Sequence, residues 1–385
     1  MMKIVCDDKI PFLRGVLEPF AEVVYLPGKQ TTPEVVRDAD AIITRTRTKC
    51  DASLLAGSSV KVIATATIGF DHIDTGWCEG HGILWRNAPG CNSWSVKQYI
   101  SSVLVRLARR HGLDLSAMTL GVVGVGNVGS KVAEAASLLG MKVLLNDPPR
   151  ERALPSLPAA TGNPFVSLDE LMARADIVTL HVPLTKEGED ATWHLFDAAR
   201  IARLRRDQFL FNSSRGPVVD NAALKAALKA GTLRGAVLDV WENEPDIDRE
   251  LMGLLEFATP HIAGYSADGK ANGTTMSVRT VASVLGLPLT DWTASGVPAP
   301  PQPLDFNLDA SGKRMQEILS EAILHTYDVQ QDTDALRAHP ELFEKLRGDY
   351  PVRREPTAFS VRLSGASGAE AETLRKLGFK VTINQ

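Results

Sequence analysis

The sequence predicts an α/β chain, with two doubly wound parallel-sheet domains followed by a small α+β region. Three observations predict it. Short apolar runs alternate with amphipathic stretches from the first residues onward. A glycine-rich hexapeptide stands between one such run and a helical pattern. A proline-dense stretch, Val297–Pro303, then separates this series from a tail of different character. Strand-like runs spaced by helical patterns are what βαβ units on a parallel sheet look like in sequence.

The first series has candidate strands at Lys3–Cys6, Glu22–Tyr25, Ala41–Thr44 and Val60–Ala64, bounded by Pro, Gly or Asp. A long helix is expected over Ser95–Arg110, where Val96, Ile100, Val103, Leu104 and Leu107 share one face. Arg109 and Arg110 suit the negative end of its dipole, and Gly112 suits the stop. The second series has candidate strands Leu120–Val123, Lys142–Asn146, Ile177–His181, Gln208–Asn212 and Gly235–Asp239. Past the prolines, helical stretches at Lys313–Tyr327 and Thr333–Arg347 precede strand Ala358–Leu363, helix Ala369–Leu377 and strand Phe379–Ile383.

Composition sets the outer limits. A chain of 385 residues, 44% hydrophobic and 23% charged, can bury substantial cores, and its length suits two or three domains. That excludes disordered, collagen-like and disulfide-built classes. A net charge of −4 gives no field for wrapping nucleic acid, so an anionic ligand must be held by local cations. Cys6, Cys50, Cys78 and Cys91 lack any CxxC spacing, which argues for reduced thiols and against zinc. Asp71-His72-Ile73-Asp74 with His81 fits no standard metal spacing either, and reads as a turn. No signal peptide or membrane-length apolar stretch is present, so a cytoplasmic protein without membrane partners is expected.

Gly124-Val125-Gly126-Asn127-Val128-Gly129 is the strongest local motif. Alone it is weak; between a strand and a helix, with an acid after the next strand, it reads as a dinucleotide site. Gly124 permits the tight turn, Gly126 lets backbone approach a pyrophosphate at the helix N-terminus, and Gly129 lets helix and strand pack closely. Asp147 can accept from ribose hydroxyls and repel a 2′-phosphate, favouring NAD over NADP even with Arg150 close by.

Three later segments each place polar residues beyond a candidate strand: Asn212–Gly216, Leu238–Pro245 and Thr259–Gly264. Hydride transfer from a 2-hydroxy acid needs a base for the hydroxyl proton, a cation for the carboxylate and a group to tune the base. His261 suits the base, Arg215 the clamp and Glu244 the tuning carboxylate. Taken singly, each is an ordinary structural residue; as a set they point to chemistry. His181, before Pro183 at a strand end, reads as ordering backbone beside the cofactor.

From about residue 37 to 285 the chain resembles the D-isomer-specific 2-hydroxyacid dehydrogenase family. The resemblance is carried by GVGNVG, HVPLT (His181–Thr185), NSSRGPVVD (Asn212–Asp220), LDVWENEP and TPHIAG. It implies Arg215, Glu244 and His261 as catalytic residues. It implies Asn127, Val128, Asp147, Val182, Ser213, Ser214, Asp239 and Gly264 as cofactor contacts. The fold implied has two Rossmann-like domains: a discontinuous substrate domain (residues 1–94 and 261–285) and an NAD-binding domain (residues 95–260). Residues 286–385 are left over, and are expected to form a C-terminal dimerisation domain and hence a homodimer.

Thr44–Lys49 puts three cations among hydroxyls directly after a strand, which suits a phosphate. Thr65 and Thr67 add donors from the next strand end. The segments TRTRTKC, ATATIGFDHID, NDPPR, HIAGYS, DGKANGT, YDVQQDTDALR and LRKLGFKV narrow the resemblance. They are similar to the branch of the family that oxidises 4-phosphoerythronate to its 2-oxo acid on the way to pyridoxal phosphate. By that resemblance Arg45, Thr46, Arg47, Thr67 and Tyr265 contact substrate. Two alternatives stay open: a dehydrogenase acting on 3-phosphoglycerate, and a non-catalytic NAD-sensing corepressor, which keeps the same three residues.

Overall fold

The computed structural model describes residues 1–154 and 163–384. They divide into two compact units, Met1–Asn92 with Tyr265–Ala299, and Ser93–Gly264 with the C-terminal region from Pro300. Residues 286–385, expected as one region, are thus shared between the units at the proline-rich stretch.

The first unit is built on five parallel strands, β1 (Lys3–Asp7), β2 (Glu22–Leu26), β3 (Ala41–Thr44), β4 (Val62–Thr65) and β5 (Leu84–Arg86), in the order β2-β1-β3-β4-β5. Ile4 and Cys6 of β1 face one apolar cluster and Val5 faces another, so the sheet is covered on both faces. One cover is the Ala267–Leu285 helix, through Val278, Val281 and Ala282. It is capped by the Ser266 hydroxyl, which accepts the Gly269 N–H at 2.8 Å, and it stops at Gly286 with φ +71°. A Cβ at Gly273 would lie 2.5 Å from the Ala66 carbonyl oxygen, so this helix sits directly on the segment after β4.

The second unit holds a six-stranded parallel sheet: β6 (Thr119–Val123), β7 (Lys142–Asn146), β8 (Ile177–Leu180), β9 (Phe209–Asn212), β10 (Gly235–Leu238) and β11 (Phe257–Ala258). Its order, β11-β10-β9-β8-β6-β7, reverses beside β6, and that switch point is where open α/β sheets take ligands. The Ser93–His111 helix is buried along most of its length.

The C-terminal region adds a three-stranded parallel sheet of β12 (Asp305–Asp309), β13 (Ser360–Ser364) and β14 (Lys380–Ile383), in sequence order. It holds the Ser93–His111 helix through polar bonds. Ser95 Oγ donates to Glu355 Oε1 at 3.0 Å, and Gln98 Nε2 donates to Thr326 Oγ1 at 3.0 Å and to the Arg354 carbonyl at 2.9 Å. Arg106 Nε donates to Asp328 Oδ1 at 2.7 Å, and Ser102 Oγ accepts the Val329 N–H at 3.0 Å. The helical stretch expected at Thr333–Arg347 is two helices, Val329–Ala338 and Phe343–Gly348, because Pro340 cannot continue the first.

Candidate active site

The glycine motif occupies the turn after β6. Gly124 has φ +85°, and a Cβ there would fall 2.6 Å from the His181 carbonyl oxygen. A Cβ on Gly129 would fall 1.9 Å from the Gly124 carbonyl oxygen, so that glycine lets the Asn127–Leu138 helix press against the turn. Gly126 differs: a Cβ there meets nothing within 4 Å. No protein contact demands a glycine at Gly126, which fits backbone kept bare for a pyrophosphate at the helix N-terminus. Asn127 and Val128 open that helix.

Asp147 lies just past β7 as the N-cap of a short helix. Its Oδ2 accepts the Val125 N–H at 2.8 Å and its Oδ1 the Arg150 N–H at 3.0 Å, which fixes the carboxylate beside the glycine turn. Arg150 donates to the Val125 carbonyl, so its cation is beside the turn as well. Val182 follows β8 and packs at Gly124, where its Cγ1 would be 2.8 Å from an added Cβ. Ser213 Oγ lies 3.5 Å from His181 Nδ1, and His181 Nε2 lies 3.0 Å from Thr179 Oγ1. Burial pushes the His181 ring down to about 3, leaving it neutral and limited to hydrogen bonding near pH 7.

Two loops after β9 and β10 meet backbone to backbone. A Cβ on Gly216 would fall 1.9 Å from the Trp241 carbonyl oxygen, so only glycine admits this approach. The first loop is wound on Asn212, whose Oδ1 accepts the Ser214 N–H at 3.0 Å and hydroxyl at 2.7 Å, and whose Nδ2 donates to the Arg215 carbonyl at 2.9 Å. Arg215 Nη1 donates to the Ser214 carbonyl at 2.8 Å, which fixes one terminal nitrogen of the guanidinium.

Glu244 stands on the second loop, and its carboxylate is shared. Oε1 accepts the Trp241 N–H at 2.9 Å, and Oε2 lies 2.8 Å from His261 Nδ1. Burial alone would raise this carboxyl, but the His261 hydrogen bond and charge, with the Trp241 N–H, outweigh it and hold it below the usual range. A carboxylate on Nδ1 fixes the ring's tautomer and leaves Nε2 to face a reactant.

His261 itself has φ +58°, a left-handed backbone that costs a non-glycine residue about 1–3 kcal/mol. Asp239 and its neighbours hold the conformation. The Asp239 carbonyl accepts the His261 N–H at 2.7 Å, and its carboxylate accepts the Ile262 N–H at 2.7 Å, the Ala263 N–H at 2.9 Å and the Thr259 hydroxyl at 2.7 Å. Asp239, 1% exposed and implied by resemblance at the cofactor, therefore spends its acceptors on the turn that bears His261 and Gly264.

The expected substrate residues lie in the first unit, on the segments after β3 and β4 and at the head of the Ala267–Leu285 helix. Arg45 Nη1 donates to the Lys9 carbonyl at 3.1 Å, and Arg47 packs at Gly28. Thr46 sits between the two arginines. Thr67 Oγ1 lies 2.8 Å from Thr65 Oγ1 and donates to the Gly69 carbonyl at 2.9 Å. Lys270 Nζ lies 5.0 Å from the Tyr265 ring centre. Burial lowers the His72 ring to about 4. Among the described residues there is no group of three or more His, Cys, Asp or Glu side chains placed to hold a metal, and no helix long and apolar enough to cross a membrane.

Sequence reasoning missed the bracing residues. Tyr99 OH lies 2.8 Å from Thr259 Oγ1, extending the Asp239 network, and buried Arg353 donates to the Ala263 carbonyl at 2.6 Å. Arg353 is distant in sequence from that turn, and no motif or periodicity marks it.

Comparisons with known proteins bear on the family and the fold. Residues 84–263 match the NAD binding domain of the D-isomer specific 2-hydroxyacid dehydrogenases, and residues 300–378 match a domain of unknown function. The chain is 51% identical to erythronate-4-phosphate dehydrogenase of Bacteroides fragilis, over 94% of its length and 99% of that protein. It is 40% identical to the Proteus mirabilis enzyme of the same name, over 99% of its length and 100% of that protein. Among solved structures, D-lactate dehydrogenase of Aquifex aeolicus, complexed with NAD and lactic acid, aligns with TM-score 0.61 and 27% identity, covering 77% of this chain and 100% of that one. The chain belongs to the D-isomer-specific 2-hydroxyacid dehydrogenase family and is an NAD-dependent dehydrogenase.

Proposed function

We propose that this dehydrogenase oxidises C2 of 4-phosphoerythronate to the 2-oxo acid, 3-hydroxy-2-oxo-4-phosphobutanoate, a step toward pyridoxal phosphate. The observation that carries the choice of substrate is the near full-length identity of 40–51% to relatives named for that acid. Bound NAD supplies the hydride acceptor. Gly124, Gly126, Asn127, Val128 and Gly129 with Asp147 hold its pyrophosphate and ribose, and Val182, Ser213, Ser214, Asp239 and Gly264 line the rest of its path.

His261 takes the C2 hydroxyl proton on Nε2 while Glu244, 2.8 Å from Nδ1, stabilises the imidazolium that forms. Arg215 holds the substrate carboxylate with its planar fork, which also draws charge from the developing carbonyl. Arg45, Thr46, Arg47, Thr67 and Tyr265 take the phosphate and the remaining hydroxyls. The homodimer expected through residues 286–385 belongs to the same reading; β12 and β14 each pair on one side only among the described residues, leaving an edge for a second copy. A cytoplasmic location also belongs to it.

The test is direct. 4-Phosphoerythronate and 3-phosphoglycerate are each added to the purified chain with NAD, and the nicotinamide absorbance is followed. NADH formed from the first acid and not the second is the expected result. Preference for 3-phosphoglycerate would replace the substrate, and tight NAD binding without NADH from either acid would favour the corepressor reading. His261→Asn is expected to bind NADH normally while turnover falls about 100-fold or more.

A further inference from the structure

Arg353 comes from the C-terminal region yet ends on the turn that bears His261. It is 4% exposed, and its Nη2 donates to the Ala263 carbonyl at 2.6 Å. Its guanidinium lies against two rings, with Cζ 4.5 Å from the Tyr327 centre and 5.8 Å from the Tyr350 centre. Both rings are themselves pinned, since the Tyr327 and Tyr350 hydroxyls donate to Asp332 Oδ2 at 2.8 and 2.7 Å. A guanidinium is expensive to bury, and an apolar side chain of similar volume would fill the space at lower cost. What the arginine adds is a charge-assisted bond to one chosen peptide, in a fixed direction.

That peptide matters because of its neighbours. Ala263 is held at both backbone groups: Asp239 Oδ2 accepts its N–H at 2.9 Å, and Arg353 donates to its carbonyl. Two residues earlier, His261 sits at φ +58° with its Nδ1 on Glu244. A left-handed non-glycine residue persists only where its surroundings over-determine it. Asp239 supplies part of that determination from within the dinucleotide-binding part of the unit, and Arg353 adds a further bond to the turn from the C-terminal region.

We propose that Arg353 is a positioning residue for the dehydrogenase reaction, through which the C-terminal region of unknown function fixes the His261 turn of its own chain. This rests on the reading of His261 as the base. The Asp332–Tyr327–Tyr350 cluster is the mount that aims the guanidinium, and Ala263 is the point where the aim is delivered. The C-terminal region thereby acts on catalysis whether or not it also joins two copies.

The experiment compares full-length Arg353→Met, Arg353→Lys and His261→Asn with the parent chain. It measures kcat and KM for 4-phosphoerythronate, NADH affinity by fluorescence and the thermal midpoint. Arg353→Met is expected to lose about tenfold or more in kcat, the scale of a charged hydrogen bond, with KM and NADH affinity within about twofold. Arg353→Lys keeps the cation without the fork, and is expected to recover part of that loss; should the methionine variant not fold, the lysine variant carries the comparison. A lower midpoint with unchanged kcat overturns the proposal, as does a loss confined to NADH affinity. The two readings separate cleanly: normal turnover by His261→Asn sinks the base, whereas an inactive His261→Asn beside a fully active Arg353→Met sinks only the positioning role.

Discussion

Gly216 and Trp241 touch through their backbones, and a single methyl group on Gly216 would fall 1.9 Å from the Trp241 carbonyl oxygen. This contact joins the loop of Arg215 to the loop of Glu244. Gly216→Ala must therefore separate the two loops. A displacement of this order costs about 100-fold in kcat/KM, since reacting groups tolerate little misplacement. Steady-state kinetics with a parallel thermal melt checks it; unchanged kinetics would mean that the loops need not touch.

Glu244 gives a pH prediction whose sign follows from its depressed carboxyl. A carboxyl held lower in the folded than in the unfolded chain contributes stability above the unfolded value, about 4.3, that is lost as pH falls through the folded one. Glu244→Gln should flatten the acid side of a stability–pH curve below about pH 4.3. Urea unfolding across pH checks it; an unchanged acid slope in the glutamine variant would show that Glu244 is not the group titrating.

His181 makes the opposite residue type behave in a similar direction. Its ring stays neutral down to about 3 when folded, whereas an unfolded histidine titrates near 6.5. The unfolded chain binds the extra proton between those values, so stability falls as pH drops from about 6.5 toward 3. His181→Asn should remove that part of the slope. An unaltered slope in a urea series would show that the ring is not the group titrating.

Asp147 is fixed beside the glycine turn by the Val125 and Arg150 amides. Asp147→Ser should raise KM for NAD about tenfold and improve use of NADP, because the repulsion of a 2′-phosphate goes while Arg150 remains. Parallel assays with both dinucleotides give the ratio.

Arg47→Ala should raise KM for 4-phosphoerythronate about tenfold or more with little change in kcat, as expected when uniform binding is lost. A non-phosphorylated analogue should be indifferent to the substitution, and an equal loss on both acids would remove the phosphate from this loop.

The sequence exposes the fold wherever an apolar run is long enough to have a pattern. Ala41–Thr44 and Lys142–Asn146 are strands residue for residue. Leu84–Arg86 and Phe257–Ala258 are too short to show one, and Asp305–Asp309 alternates among acids beside a proline stretch. The site divides the same way. Motifs reveal Arg215, Glu244 and His261 because each loop is local. The second hydrogen bond on Ala263 comes from Arg353, and contacts across such chain separation leave no periodicity to read.

The Ser93–His111 helix turns Ser95, Gln98, Ser102 and Arg106 toward partners supplied after Pro300. A helix made this way cannot be left bare without stranding buried donors and acceptors, each of which costs about 1–3 kcal/mol once its partner is gone. The chain therefore cannot be cut back to the length of its lactate-acting neighbour simply by stopping earlier. To become a shorter enzyme it would first have to rewrite the surface of a helix that stands far from its missing end.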